Sequence, residues 1–203
     1  GYGANAEKVI LDSLKAHPEW SDQIVSFLWA LDVTDIFRIQ VIRNDKGLET
    51  VGISHCFVNA KGTEAYGQTF MNESLSLRRL ILIAVSFFEA FSKEKIIVID
   101  DFGQLLHPYV LTHIVEIFHA NDMESQLIVV DCNPALLQKD LMRKDSIWFA
   151  EKGEESSTEF VSLSDFRGIK AKQSIYDGYL QGIFGALPIE SDFCFQNKVK
   201  ENN

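Results

Sequence analysis

The stretch Lys95 to Pro108, KIIVIDDFGQLLHP, constrains this chain more than any other. Ile96-Ile97-Val98-Ile99 runs without alternation into Asp100 and Asp101. A short β-branched run of this kind predicts a strand buried on both faces of a parallel sheet. Open α/β sheets carry ligand chemistry in the crevice outside the carboxyl ends of their strands. Paired acids at that end have two readings. Asp100 can hold Mg²⁺ while Asp101 orients or deprotonates an attacking water. Alternatively, the pair ends a strand and caps the next segment. The local pattern leaves both open.

The flanking segments alternate in the manner of an α/β domain. Asn72-Glu73-Ser74 precedes a helix from about Leu75 to Phe91, apolar on most faces. Its N-terminus suits an anion through free N–H groups and the helix dipole, and Ser74 and Ser76 can add hydroxyl donors. The plain alternative is that Ser74 is an N-cap. A helix from about His107 to Ala120 and a strand over Gln126–Val130 follow, then a short helix from Pro134. Strands over Ser146–Ala150 and Thr158–Leu163 form a hairpin, and a short helix spans Ser174–Gly182.

Upstream, Glu7–Ala16 and Ser21–Leu31 have helical spacing. Ile36–Ile42 alternates, with Phe37, Ile39 and Val41 on one side. Asn44-Asp45-Lys46-Gly47 is a turn signal, and Thr50–Val58 runs back as the second strand of a hairpin. Ala65–Phe70 adds a third strand. Trp20 and Trp29 read as core or interface residues. A lone strand histidine is usually structural, so His55 receives no role.

The formal net charge of −10 excludes a general phosphate-backbone binder, so nucleic acid is not an expected partner. Cys56, Cys132 and Cys194 lack zinc-ligand spacing and read as reduced thiols. With no bilayer-length apolar run and no signal-peptide pattern, the expectation is a soluble cytoplasmic protein without a membrane partner. Gly3-Ala4-Asn5 matches only the opening of a phosphate-binding loop, because no GK[ST] follows. A single domain over 1–203 is expected. Its segments are a helical 1–31, an antiparallel 32–70, an α/β core over 71–188 and a polar tail over 189–203.

The order of these elements resembles the C-terminal part of an ABC-type ATPase head. More narrowly, it resembles the bacterial AAA/ABC-like ATPases linked to abortive infection, restriction and phage defence. The resemblance covers about Ile24 to Pro188. It rests on Glu73-Ser74 at the signature loop, on the Walker-B-like IIVIDD with LLHP at Leu105–Pro108, and on QLIVV at Gln126–Val130. DSIWFAEK at Asp145–Lys152, SLSDF at Ser162–Phe166 and GYLQGIFGALP at Gly178–Pro188 belong to the narrower group. The implied fold is α/β of the P-loop NTPase type, with a mainly parallel central sheet flanked by helices and with antiparallel hairpins.

The motifs depart from the family pattern. Ser76 stands where the signature glycine is usual, and Leu77 where a threonine is usual. Asp101 replaces a glutamate, Cys132 falls at the switch histidine, and no phosphate-binding loop is present in the sequence. The resemblance therefore implies a degenerate ATPase-like module. The alternative is the C-terminal half of an active head whose phosphate-binding lobe lies elsewhere. In either case ATP and Mg²⁺ enter only in an assembled head, with Ser74 and Ser76 on nucleotide, Asp100 on Mg²⁺ and Asp101 as the weak catalytic candidate. An unrelated Mg²⁺ enzyme built on Asp100-Asp101 is disfavoured, because neither Glu64 nor Glu73 shares the strand end. Self-association or a second polypeptide is expected, through the Ile36–Phe70 region and the signature end. The Ser74–Arg79 helix start should be exposed, with Arg78 or Arg79 available to an acidic or phosphate group.

Overall fold

A computed structural model describes residues 3–43, 45–121, 124–138, 141–153, 155, 157–167 and 174–188. The expected roles of Asn44, Cys194 and the 189–203 tail lie outside these residues. The chain forms two compact units, 1–135 and 136–203.

The first unit opens with helices α1 (Ala4–Ala16) and α2 (Trp20–Ala30). Strands β1 (Ile36–Arg43), β2 (Glu49–Asn59) and β3 (Gly62–Thr69) form an antiparallel sheet in that order. The β2–β3 turn is tight: Gly62 sits at φ 126°, and the Asn59 side chain accepts from the Lys61 N–H at 2.8 Å. Such a backbone angle suits glycine, which has no Cβ to clash. The register of β1 against β2 shifts between Ile36 and Arg38. An extra residue there rotates the strand, so Ile36 and Ile39 share the core while Phe37 is exposed. The simple alternation expected of this strand is thereby corrected. α1 and α2 cover the core face of the sheet. Ile10, Ile24, Leu28, Ile39 and Val51 are fully buried there, each worth about 1.5–3 kcal/mol relative to exposure. Trp20 is buried, whereas Trp29 is half exposed and donates its indole N–H to the Ile36 carbonyl at 2.6 Å.

Helix α3 (Leu75–Lys93) follows and ends on Glu94 in the left-handed conformation. Phe87 joins three helices, with ring centroids 6.2 Å from Phe27 and 5.1 Å from Phe118. Strand β4 (Ile96–Ile99) leads through α4 (Pro108–Ala120) to β5 (Gln126–Val129). The helical crossover makes this pair parallel.

The expectation of a mainly parallel sheet is corrected here. Among the described residues, parallel pairing is confined to β4–β5, and the other two sheets are antiparallel. Connections of a few residues join the strands of those sheets, too short for a crossover. The two-sided burial expected of β4 is corrected as well. Ile97 and Ile99 are half-buried, but Ile96 and Val98 are 61% and 65% exposed. On β5, Ile128 is exposed, as is Val130 just beyond its end.

The second unit holds β6 (Trp148–Lys152) paired antiparallel with β7 (Thr158–Ser162), and the short α5 (Ile175–Leu180). Ile147, Phe149, Leu163 and Phe184 form its core. Phe149 stacks on Tyr179 and Phe184 at 5.7 and 5.3 Å. All four core residues come from the segments DSIWFAEK, SLSDF and GYLQGIFGALP.

Candidate functional site

The expected site residues lie in the first unit, at the start of α3 and the end of β4. Ser74 is the N-cap of α3, its hydroxyl accepting from the Leu77 N–H at 3.2 Å. Such a cap satisfies one of the donors that a helix start leaves open. Two residues on, Ser76 donates its hydroxyl to the Leu105 carbonyl at 2.9 Å. Each serine is therefore tied to the protein's own backbone.

Asp100 is exposed at the carboxyl end of β4, and its Oδ1 accepts from the Asp101 N–H at 3.0 Å. Asp101 begins a tight turn at φ 50°, a conformation aspartate tolerates better than most residues. The Gln104 N–H donates to the Asp101 carbonyl at 2.9 Å, closing the turn. Phe102 is fully buried under it. The Gly103 N–H donates to Asp131 Oδ2, whose other oxygen accepts from the Asn133 N–H at 2.7 Å. A side chain at Gly103 would bring a Cβ within 2.8 Å of that carboxylate, so the approach needs a glycine.

Arg79 joins the two halves of the site. Its guanidinium donates to the Asp101 carbonyl and, from Nε at 3.3 Å and Nη2 at 3.0 Å, to the Phe102 carbonyl. Only 3% of Arg79 is exposed. Burial pulls its pKa down, and the charges of Asp101 and Asp131 oppose that pull. The expectation that Arg79 meets a partner from the surface is thus corrected: it holds the turn after β4 from inside. Arg78 is half-buried and packs over the Phe70 ring at 6.0 Å. Among the described hydrogen bonds, the structure brings Ser76 and Asp101 to one turn but joins Ser74 to neither acid.

Beside the α3 start lies a cleft of about 290 Å³, lined by Asp35, His55, Glu73, Ser74, Ser76 and apolar neighbours. His55 crosses it. Its Nδ1 is 2.8 Å from Asp35 Oδ2 and its Nε2 is 2.7 Å from Glu73 Oε1. Tyr66, its cross-strand partner, stacks on the ring at 4.8 Å. Burial lowers the His55 pKa, but the hydrogen bonds and charges of Asp35 and Glu73 outweigh it and hold the value above the usual one. The sequence assigns His55 no role, and the structure sets it in a row with Asp35 and Glu73. A signal existed in the sequence: His55 continues the inward register of Val51 and Ile53, where a purely apolar core would place another aliphatic residue.

No group of three His, Cys, Asp or Glu residues among those described is arranged to hold a metal ion. Cys132, at the expected switch position, is exposed. No described helix is long and apolar enough to cross a membrane.

No protein-family model and no curated protein matches the sequence. Solved structures do match. One chain comes from work on ATP-driven dimerization and DNA-stimulated activation of SMC ATPases. It aligns with a TM-score of 0.52 and 13% identity, covering 73% of this chain and 86% of its own length. A second is the SmcHead bound to the C-winged helix domain of ScpA, with a TM-score of 0.45 and 14% identity, covering 75% of this chain and 45% of its own. At such identity the first likeness defines the fold: this is an α/β domain resembling an ABC-type ATPase head of the SMC kind.

Proposed function

We propose that this chain is the signature-bearing part of an ABC-type ATPase head, with degenerate nucleotide motifs, serving as an interaction module. The observation that carries this reading is the β4–β5 pair. Its open face presents Ile96, Val98 and Ile128 to solvent within a head-like fold. A parallel pair with apolar residues on both faces needs a layer on each, and an exposed apolar patch marks a surface that takes a partner. The partner we propose is a phosphate-binding lobe, or a second chain in its place. Degeneracy is supported by Ser74 and Ser76, whose hydroxyls serve the α3 cap and the Leu105 carbonyl. We further propose kinship with the bacterial defence ATPases, because the segments that carry that resemblance build one core together.

The alternative is an active head completed by a lobe that carries the phosphate loop. The exposed carboxylate of Asp100 favours it. Mg²⁺ commonly takes one or two carboxylates and completes its shell with water and phosphate. Asp100 fits one such ligand and would hold the ion, Asp101 would orient water, and Ser74 and Ser76 would face nucleotide. ATP and Mg²⁺ supply the phosphoryl chemistry when bound. The sequence contains no GxxxxGK[ST] to cradle the phosphates by itself.

Light scattering and calorimetry test both readings. The chain should self-associate at micromolar concentration, and Val98→Lys with Ile128→Lys should abolish this without unfolding it. Calorimetry should detect no low-micromolar ATP–Mg²⁺ binding by the chain alone. A clean monomer across that range overturns the interaction reading. Association driven by ATP–Mg²⁺, as the SMC ATPases of the first comparison dimerize, puts the active head ahead.

A further inference from the structure

The Asp35–His55–Glu73 row has a property that neither the fold nor the proposed assembly requires. Its members come from different walls of one cleft. Asp35 lies just before β1, His55 lies in β2, and Glu73 immediately precedes the α3 cap. His55 and Glu73 are 4% and 7% exposed, while the Asp35 side chain is 53% exposed. Each ring nitrogen faces a carboxylate oxygen at hydrogen-bond distance. A neutral imidazole has one N–H and one lone pair, so it can donate to only one of two ionised carboxylates. With both carboxylates ionised, both bonds form together only when the imidazole carries two protons.

We propose that Asp35, His55 and Glu73 form a proton-operated latch across the cleft between the entry to β1 and the start of α3. In the closed state the imidazolium donates from Nδ1 to Asp35 and from Nε2 to Glu73, tying the two walls. On opening, the Nδ1 proton passes to water and the ring keeps Nε2–H on Glu73. Asp35 is the partner released, because water reaches its carboxylate and replaces the lost donor. Glu73 is buried, and losing its donor would leave a buried charge unpaired, the costlier outcome.

Among the described residues, the ionisable groups facing the ring are Asp35 before β1, Tyr66 on β3 and Glu73 before α3. Tyr66 covers one face of the ring and fixes its plane. The Cys56 N–H donates to the Asp35 carbonyl at 2.7 Å, a backbone tie that the closed latch reinforces and that loosens when the side chain disengages. The direction of pH dependence follows from the raised pKa of folded His55. The contribution to stability is fully present below the ordinary histidine value of about 6.5 and is lost as pH rises through the higher folded value. The latch belongs to this chain alone and holds whether or not a nucleotide lobe docks.

The test is a histidine NMR titration of the full chain, paired with amide exchange corrected for intrinsic pH dependence. His55 should titrate above about 6.5, and Asp35→Asn and Glu73→Gln should each lower its midpoint. Amides of residues 33–36 should lose protection by about tenfold across that midpoint, the equivalent of one charge-assisted hydrogen bond. His55→Asn should remove the step. A wild-type midpoint at or below that of an ordinary histidine overturns the latch, as does equal protection on both sides of it. Should Glu73→Gln fail to fold, Asp35→Asn decides, because its side chain reaches solvent and leaves the core intact.

Discussion

The first unit contains two sheets of similar apolar chemistry and opposite exposure. The antiparallel sheet buries Ile36, Ile39, Val51 and Ile53 completely or nearly so beneath α1 and α2. Its outward side carries polar residues such as Arg38 and Gln40. The parallel pair places β-branched residues on both faces, and α3 packs against β4. Its other face leaves Ile96 and Val98 in water. The first sheet needs one covering layer and has it. The second needs two and, among the described residues, shows one side open. Exposure on β4 is thus what the proposed assembly would cover, where exposure on β1 follows from register.

Four substitutions separate the two sheets. The largest effect is expected at Arg79, on the covered side of the pair. Arg79→Glu replaces a buried donor with a buried acid facing the Asp101 and Phe102 carbonyls, and should cost about 3–5 kcal/mol in urea unfolding. A loss below about 0.5 kcal/mol would restore Arg79 to the surface role read from the sequence. Next is Ile39→Ala in the antiparallel sheet. Ile39 is fully buried, so the cavity should cost about 2–4 kcal/mol. Gly103→Ala should cost about 1–3 kcal/mol through overpacking, since its new methyl meets Leu111 at 2.9 Å as well as Asp131.

The smallest effect on the isolated fold sharpens the comparison most. Val98→Ser, on the open face, should change unfolding free energy by no more than about 0.5 kcal/mol in dilute solution, where no partner covers it. The same substitution should weaken self-association measured by sedimentation. If Val98→Ser destabilises the dilute monomer as much as Ile39→Ala does, the face is covered within the chain and the contrast between the sheets disappears.

Much of the architecture was legible because its signals are local. Helical spacing marked α1 to α4, and the turn residues marked the hairpins. The apolar run Ile96–Ile99, followed by an amphipathic helix and a second run, implied the parallel pair. Ser74 was legible as a cap from its place before Leu75. Other features depend on residues distant in sequence. Arg79 reads as a surface cation until the carbonyls of Asp101 and Phe102 are brought to it. The bulge at Ile36–Arg38 puts Ile36 in place of Phe37 in the inward set of β1, and a strand's own alternation cannot report an extra residue in its pairing.

What the sequence determined by itself was the alternation of elements and the strand with two acids at its end. These follow from periodicity, capping chemistry and motif spacing, which act over a few residues. Tertiary structure alone decided that Arg79 lies inside, that one face of β4 is open, and that Asp35, His55 and Glu73 meet. Burial and hydrogen bonding belong to pairs of groups, and the members of those pairs stand 18 to 23 residues apart in the chain. A histidine at position 55 is a strand residue in the sequence. It becomes a hydrogen-bonded bridge only when folding removes water and sets a carboxylate against each nitrogen.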